Sequence, residues 1–466
     1  MRKGLIAATI MVILIIAGVA FLVMWYAVGP GGTSTSLEAP LDLSFKPFTL
    51  DELLHNKTKV DLKTSGKRIH SAKFELIEER TSKIRGLPLK KQVPLVEASE
   101  ALIKYQLLES SLEKTSVQQT IASEKVLKAL GLLAPSDSLS EIITNVLTEQ
   151  IAGSYDTETK EITIVKGKGL STTFDEITMS HEVTHALQDQ NFGLDKPPLE
   201  NEAYNSDEDT AVQSLVEGDA TDTMYEYAKT YVSVSDLLQM QNEAEKTESP
   251  QLDKAPPYIK KGLLFPYEDG YSFVQKIKED AGGETAVNSA LRTPPMSTQQ
   301  IMHPEDYLDK RHAPIAITLP DLTASLGSGW KRIDNDTLGE WDFQVWFEQF
   351  TTTATGADVA DGWAGNTIQY YQGPGKSYVM PNEVTWIAEA DAQLFFEEYP
   401  KLLKSRFGAK LQKIGSTSTS YSYKADEVTY YCGISGKTTL ALQTTDASKL
   451  GTLLQSYPQM TPVAVP

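Results

Sequence analysis

The segment from Thr173 to Gly193 constrains this chain more than any other, because it has the pattern of one helix that carries His-Glu-x-x-His. Two histidines four residues apart, His181 and His185, lie one above the other on a helix face, so both imidazoles can reach one ion. Glu182 lies about 100° further round the helix and can reach a water in an open coordination position. The pattern therefore predicts a Zn²⁺ site, with His181 and His185 as ligands and Glu182 as the proton acceptor.

The flanking residues support a buried helix. A T-x-x-E capping box from Thr173 to Glu176 predicts its start, and Gly193 predicts its end. Apolar residues on more than one side of the segment indicate burial within a domain. The alternative is that the two histidines are ordinary core residues, but burying three ionisable groups without a metal is costly.

The run His181-Glu-Val-Thr-His-Ala resembles the H-E-x-T-H-A helix of thermolysin-like zinc peptidases, the gluzincin group. The resemblance covers mainly Ile151 to Thr230. It implies hydrolysis of a peptide or protein substrate and a glutamate on a later helix as third ligand. The later stretch Glu217-Gly-Asp-Ala220 resembles a less-studied group of membrane-anchored or secreted metallopeptidases.

On this basis we expect Glu217 to be the third ligand, within a helical run from Asp207 to Tyr231. It follows His185 by 32 residues (217 − 185), which allows one loop and a return helix. Its apolar neighbours place it on an interior face, where a lone carboxylate favours a cation. Other acids stay open as the ligand: Glu202, Glu208, Asp209, Asp219 and Asp222. The cluster Asp207 to Asp209 fits helix N-terminal charge, with a calcium site as the alternative.

Two further roles are less constrained by the sequence. The resemblance implies an acid four residues after the third ligand, but Thr221 occupies that position, so Asp189 and Asp222 are candidates to support a histidine. The resemblance also implies a late histidine or tyrosine that donates a hydrogen bond to the developing oxyanion, and His303, in a proline-bounded loop, is the candidate. Its rivals for that role are Tyr155, Tyr267 and Tyr271.

Residues Ile151 to Val165 form two strand-like runs around a polar turn, which predicts a β-hairpin just before the metal helix. An exposed sheet edge there can pair with the backbone of an extended peptide. The hairpin could equally serve only to pack under the helix.

The N-terminal segment predicts a membrane anchor. After Arg2 and Lys3, residues Gly4 to Val28 carry no charge and are long enough to cross a bilayer as a helix. The basic start favours a cytoplasmic N-terminus and an extracytoplasmic catalytic domain at the cell membrane. A cleaved signal peptide is the alternative. The formal charge of −19 makes nucleic acid an unfavourable partner.

We expect an α+β fold with a signal-anchor helix over residues 1–30, a linker and N-terminal segment over 31–92, a mostly helical zincin-like domain over 93–319 and a small α+β domain over 320–466. Helices are predicted over 95–111, 117–133 and 138–151, and from Phe265 to about Ala281, after a surface loop from Asn242 to Pro257. The single cysteine, Cys432, excludes an intramolecular disulfide.

The sequence thus favours a membrane-anchored zinc peptidase. Two alternatives remain: a non-catalytic ectodomain that acts as a binding module, and a metal-dependent hydrolase of a non-peptide amide or ester. An intact Glu182 favours chemistry over binding, and the hairpin favours an extended peptide substrate.

Overall fold

The computed structural model describes residues 66–99, 102–103, 117–149, 153–167, 170–201, 203–244, 249–310 and 312–463. The predicted anchor from Gly4 to Val28 lies outside these residues. Among the helices within them, none is long and apolar enough to cross a membrane. The fold is α+β, as expected, with one small sheet near the N-terminal end and a larger sheet in the C-terminal part.

The elements of the first part, in chain order, are β1 (Lys67–Ile69), α1 (Ala72–Arg85), β2 (Leu95–Ala98), α2 (Val117–Leu130), α3 (Leu139–Glu149), β3 (Gly153–Asp156), β4 (Glu161–Val165), α4 (Thr173–Phe192), α5 (Ser206–Tyr231), α6 (Val234–Ala244), α7 (Pro250–Lys254), α8 (Pro257–Ala281), α9 (Glu284–Ala290) and α10 (Thr298–Met302). A π-helical turn, Asp306–Lys310, follows. The second part contains α11 (Thr323–Leu326), β5 (Lys331–Asp336), α12 (Glu340–Phe350), α13 (Thr353–Ala360), β6 (Trp363–Gln372), β7 (Tyr378–Trp386), α14 (Glu389–Phe407), β8 (Gln412–Ser416), β9 (Ser420–Ala425), β10 (Val428–Ser435), β11 (Thr438–Thr444) and α15 (Leu450–Leu454).

The first sheet has the order β1-β2-β4-β3, in which β2 and β4 are parallel and the other pairs are antiparallel. The predicted hairpin is therefore present as β3 and β4, and β3 is the edge strand. Two expectations are corrected. Leu95–Ala98, expected in a helix, is a strand because its residues are buried between two neighbours. The expected linker supplies β1 and α1, whose Phe74 and Ile77 share a core with the metal helix.

The helix that carries the motif, α4, is buried along most of its length. Its N-cap is Thr172, which forms a reciprocal capping box with Asp175, so the cap lies one residue before the predicted one. Glu176, expected in the box, instead accepts hydrogen bonds from Arg80 (3.1 Å) and the Tyr227 hydroxyl (2.7 Å). Gly193 ends the helix with φ of +80°, as predicted.

Helices α5 and α8 pack at van der Waals distance because two glycines face each other. A Cβ on Gly218 would lie 2.2 Å from the backbone of Gly270, and a Cβ on Gly270 would lie 2.1 Å from the Ser214 carbonyl oxygen. Helix α8 begins at Pro257, earlier than the predicted Phe265, because proline is favourable in the first turn of a helix. Part of the predicted surface loop before it is the short helix α7.

The second sheet is fully antiparallel, with the order β5-β6-β7-β11-β10-β9-β8. Its aromatic core includes Phe343, Trp386 and Phe395, whose rings pack edge to face or tilted. Helix α2 shares this core, and the Trp346 indole donates to the Leu130 carbonyl oxygen (3.1 Å). Residues 117–133, expected in the catalytic domain alone, therefore also pack against the C-terminal domain.

Candidate metal centre

Three side chains from two helices converge at one point. His181 and His185 of α4 direct their Nε2 atoms at Oε2 of Glu217 on α5, at 3.1 and 3.4 Å. All three residues are buried, and each offers one ligand atom within 4.8 Å of the others. The structure therefore brings together the two predicted histidines and the predicted third ligand.

The spacing of these atoms fits a metal ion. Zinc holds nitrogen and oxygen ligands at about 2.0–2.2 Å in a tetrahedron, whose edges are then about 3.3–3.6 Å. The two distances to Oε2 of Glu217, 3.1 and 3.4 Å, lie close to these edges. Two imidazoles and one carboxylate are also the donor set of many catalytic zinc sites. The residues present therefore fit zinc.

Gln188 fixes the orientation of the His185 ring. Its amide nitrogen donates to the Val216 carbonyl oxygen (2.9 Å) and to Oδ2 of Asp219 (2.8 Å), both of which are acceptors only. Its amide oxygen, Oε1, must then accept from Nδ1 of His185, at 2.9 Å. In the neutral ring, Nδ1 carries the proton and Nε2 presents its lone pair to the centre. Two hydrogen bonds from one side chain thus select the tautomer that binds a metal.

A buried ion pair anchors this support. Asp219 lies 2.6 Å from Nε of Arg85, and Arg85 is fully buried. Arg85 also lies 2.9 Å from Glu284 of α9 and donates to Asn288 (2.8 Å). Because removal of one partner of a buried ion pair costs about 3–5 kcal/mol, this contact holds α1, α5 and α9 in register. The chain from Arg85 through Asp219 and Gln188 to His185 links the metal centre to the fold.

The predicted proton acceptor lies beside the centre and is held by the hairpin. Oε2 of Glu182 accepts from the backbone N–H of Tyr155 on β3, at 2.7 Å. Burial raises the pKa of Glu182 to about 8, opposed by His185 and by the Tyr155 N–H. An elevated carboxyl pKa near neutrality suits a group that takes and returns a proton. A cation held by the three ligands would favour its ionised form.

The two histidines and Glu217 differ in the direction in which their surroundings shift their pKa values. Burial lowers the pKa of His181 to about 4 despite its contact with Glu217, so this ring is neutral at pH 7. Burial also acts to lower the pKa of His185, but Glu217 and Glu182 outweigh it and raise the value to about 9. Burial opposes ionisation of Glu217, yet the two rings lower its pKa to about 2. The centre therefore presents an anionic carboxylate to whatever cation it holds.

The acids expected to support a histidine have other partners. Asp189 accepts from the Tyr155 hydroxyl (2.7 Å) and pairs with Lys160 (2.7 Å). Asp222 pairs with Lys278 (2.6 Å) and also accepts from Gln275. The supporting residue is instead Gln188, which the sequence analysis passed over. Its position three residues after His185 on a buried helix was the available signal, since residues three apart share a face.

Among the described residues, none of the other candidate ligands joins the centre. Asp219 and Asp222 are engaged as described, and Glu208 accepts from the N-cap Asn205 of α5 (3.1 Å). Asp207 accepts from Thr298 rather than pointing with Glu208 into a shared calcium site. Glu202 lies outside the described residues.

Of the three tyrosines considered for the oxyanion role, Tyr155, Tyr267 and Tyr271, Tyr267 contacts a candidate metal-binding residue. The Tyr267 ring stacks on His181, with centroids 6.2 Å apart and 29° between planes. Nδ1 of His181 is buried without a hydrogen-bond partner in the described part of the chain, so packing against Tyr267 helps to orient this ring. The Tyr155 hydroxyl is bonded to Asp189, and the Tyr271 ring packs on Tyr225.

His303 belongs to a different group. Its Nε2 lies 2.7 Å from Oε1 of Glu340 and 3.9 Å from Asp361, a residue whose side chain is 75% exposed. A separation of 2.7 Å is a hydrogen-bond distance, so His303 and Glu340 form an ion pair. The Glu340 hydrogen bond raises the pKa of His303 to about 9 despite partial burial.

The position of this pair separates it from the metal centre. Trp341, next to Glu340, donates its backbone N–H to the Thr298 hydroxyl, and Thr298 in turn donates to Asp207 at the start of α5. Asp207 precedes Glu217 by ten residues, or about 15 Å along the helix. The structure thus does not bring His303 to the three ligands, and the expected oxyanion role finds no support in its contacts.

Comparisons with known proteins each match a part of the chain. A family model described as a domain of unknown function, DUF8575, matches residues 326–453, which form most of the C-terminal domain. No curated protein matches the chain. A crystal structure described as "a putative hydrolase with a novel fold from Chloroflexus aurantiacus" is similar at 17% identity and a TM-score of 0.33, over 51% of this chain and 86% of that one. A likeness this distant carries no argument about function.

Proposed function

We propose that this protein is a zinc-dependent peptidase, anchored through the segment from Gly4 to Val28 with its catalytic domain outside the cytoplasm. The observation that carries the proposal is the convergence of His181, His185 and Glu217 at metal-ligand spacing, with Glu182 beside them. These three residues would hold Zn²⁺. When bound, zinc polarises a carbonyl and acidifies a water at neutral pH.

Glu182 would accept a proton from the attacking water and deliver it to the departing amine. Its position beside the three ligands supports both transfers, because a carboxylate there can take a proton from the water and return it to the amine. The N–H of Tyr155 holds one of its carboxylate oxygens and so keeps the side chain in place. No covalent intermediate with the protein is required.

The edge strand β3 would hold the substrate backbone. Within the described ranges, Gly153 and Tyr155 pair only with Ile164 and Ile162 of β4, and the Tyr155 N–H points toward Glu182. An extended peptide laid against this edge would have its backbone close to the proton acceptor. This arrangement supports a peptide over a small amide or ester as substrate.

The test is substitution of Glu182 by glutamine, which keeps the shape and the hydrogen bond from Tyr155 but cannot accept a proton. We expect Glu182→Gln to retain one zinc per chain by elemental analysis and to lose at least about a hundredfold in cleavage of a mixed peptide library. Glu279→Gln, at an exposed position of α8, is the matched control and should keep normal turnover. Near-normal turnover in Glu182→Gln, or wild-type protein without zinc, would refute the proposal.

A further inference from the structure

A cavity of about 270 Å³ begins one helical turn from the metal centre. Ser206, Thr210 and Gln213 of α5 line it, and they precede Glu217 at intervals of four, three and four residues. Residues at this spacing share one face of a helix. The cavity therefore lies along the face of α5 that carries the third ligand, over about 10 Å from Ser206 to Gln213, and ends one helical turn before Glu217.

Helix α8 leads from the same cavity to the metal centre. Leu263 and Pro266 line the cavity, and Tyr267, the next residue, stacks on His181. The close contact of Gly218 with Gly270 holds α8 against α5 at this level. Both walls of the cavity are thus continuous with elements of the metal centre.

The lining has an apolar wall and an acidic wall. The apolar wall comes from α2, α3, α8 and α12 and includes Leu127, Ile143, Leu263 and Trp341. At the end near Ser206, strand β5 and helix α12 supply three carboxylates, Asp334, Asp336 and Asp342. None of the described residues that line the cavity is a lysine or an arginine.

All three acids also have partners within the protein. Asp336 accepts from the Ser206 backbone N–H (2.9 Å), and Asp342 accepts from the Tyr258 hydroxyl (2.5 Å) and the Gly339 N–H (2.9 Å). Oδ1 of Asp334 accepts from the backbone N–H of the adjacent Asn335 (3.0 Å). An asparagine at position 334 keeps an oxygen for this local contact, so Asp334→Asn removes the charge and can retain the hydrogen bond.

We propose that this cavity binds one substrate side chain with a long apolar stem and a positively charged end, that is, lysine or arginine. The inference rests on the proposed peptidase function and names its specificity. The apolar wall would cover the methylene stem, and the acidic wall would pair with the charged end. The volume is close to the lower limit of about 300 Å³ for small-molecule sites, which suits one side chain. The net charge of −19 also favours the approach of cationic peptides.

The test compares side chains of equal shape and different charge. In a fluorogenic peptide, arginine is moved along the chain and each position is repeated with citrulline, its neutral analogue. At one position we expect kcat/KM to be at least about tenfold higher for arginine, since hydrogen bonds to charged groups contribute about 1.5–3 kcal/mol. Asp334→Asn should reduce the ratio of kcat/KM for arginine to that for citrulline at least about threefold, which corresponds to about half of the free-energy difference behind a tenfold preference. Asp358→Asn, an exposed acid of α13 with the same change in net charge, should keep it.

Equal rates for arginine and citrulline at every position would overturn the proposal, as would a preference for the neutral analogue. This comparison needs only the wild-type protein, so a misfolded variant cannot hide the result.

A binding measurement separates this proposal from the peptidase function. Calorimetry on Glu182→Gln with N-acetyl-arginine methylamide and its citrulline analogue reports the cavity without any hydrolysis. Tighter binding of the arginine compound to this variant, together with wild-type protein that cleaves no peptide, would refute the peptidase function and support the cavity. Peptide cleavage by the wild type without any preference for arginine over citrulline would support the peptidase function and refute the role of the cavity.

Discussion

Replacing Gln188 by leucine tests how the fold prepares the metal centre. The change keeps a buried side chain of similar size but removes the acceptor for Nδ1 of His185 (2.9 Å) and the donor to Asp219 (2.8 Å). The His185 N–H is then buried without a partner in one tautomer, and the ring can turn or shift its proton to Nε2. In that second tautomer Nε2 has no lone pair for a metal.

The expected loss follows from the contacts. A buried donor left without its acceptor costs about 1–3 kcal/mol. Loss of a residue that orients a metal-binding histidine lowers metal affinity about 10–100-fold, or about 1.4–2.7 kcal/mol. Both routes give the same range. We therefore expect the zinc dissociation constant of Gln188→Leu, measured by competition with a chromophoric chelator, to rise about 10–100-fold.

Gln190→Leu is the matched control on the same helix. Gln190 also makes several hydrogen bonds, to Lys90 and Lys91, but none to the metal ligands. Its replacement should leave zinc affinity unchanged within about twofold. Equal zinc affinity in Gln188→Leu and the wild type, or an equal loss in both variants, would show that Gln188 does not orient His185.

Two further predictions concern the free energy of unfolding. Gly218→Ala should lower the free energy of unfolding by about 1–3 kcal/mol in chemical denaturation, because its Cβ would lie 2.2 Å from the Gly270 backbone. The control is Gly451→Ala, in a helix with open space around this position, which should leave the free energy of unfolding unchanged or raise it slightly. Equal effects of the two substitutions would contradict the close contact between α5 and α8. The Glu340 hydrogen bond raises the pKa of His303 from an ordinary 6.5 to about 9 in the folded protein, so the proton on His303 stabilises the fold fully below pH 6.5 and this contribution is lost as the pH rises through about 9. The destabilisation by His303→Gln should therefore be largest near pH 6 and decline toward pH 10, and a constant difference over that range would refute the ion pair.

The sequence could predict the part of the metal centre that depends only on the geometry of a single helix. The rise and turn of one helix place His181 and His185 on a common face whatever the rest of the fold does. The position of Glu217 depends on how α5 packs on α4. The family resemblance, its spacing from His185 and its apolar neighbours favoured it among several acids without excluding the others. The role of Gln188 depends on both helices at once, since its amide contacts His185 and Asp219. A local pattern cannot express such a contact.

The sequence pattern predicts neither β5 nor β8 as a strand, and both omissions have the same physical reason. β5 and β8 are the two edges of the large sheet, with the sequences KRIDND and QKIGS. Charged and polar residues protect exposed edges from pairing with other chains, and they also remove the alternating apolar pattern that predicts a strand. Pro381 has the opposite effect. The sequence pattern predicts two strands on either side of it, Ser377 to Met380 and Val384 to Ala388, whereas the single strand β7 runs through Pro381 in the middle of the sheet.

Strand β2 shows a third limit. Its residues continue into a run with helical spacing, so the local pattern favours a helix from Leu95. The strand forms because it pairs in parallel with β4, where Leu95 lies beside Ile162, far along the chain. Non-local pairing of this kind leaves little local trace.

X-ray absorption at the zinc edge, on purified protein with its metal content determined, tests the central claim most directly. We predict one zinc per chain, with two imidazole nitrogens at about 2.0–2.1 Å and at least one carboxylate oxygen at about 2.0–2.2 Å. In Glu217→Ala the carboxylate contribution should disappear and the metal content should fall. A protein that binds no zinc, or a zinc shell unchanged in Glu217→Ala, would contradict the account.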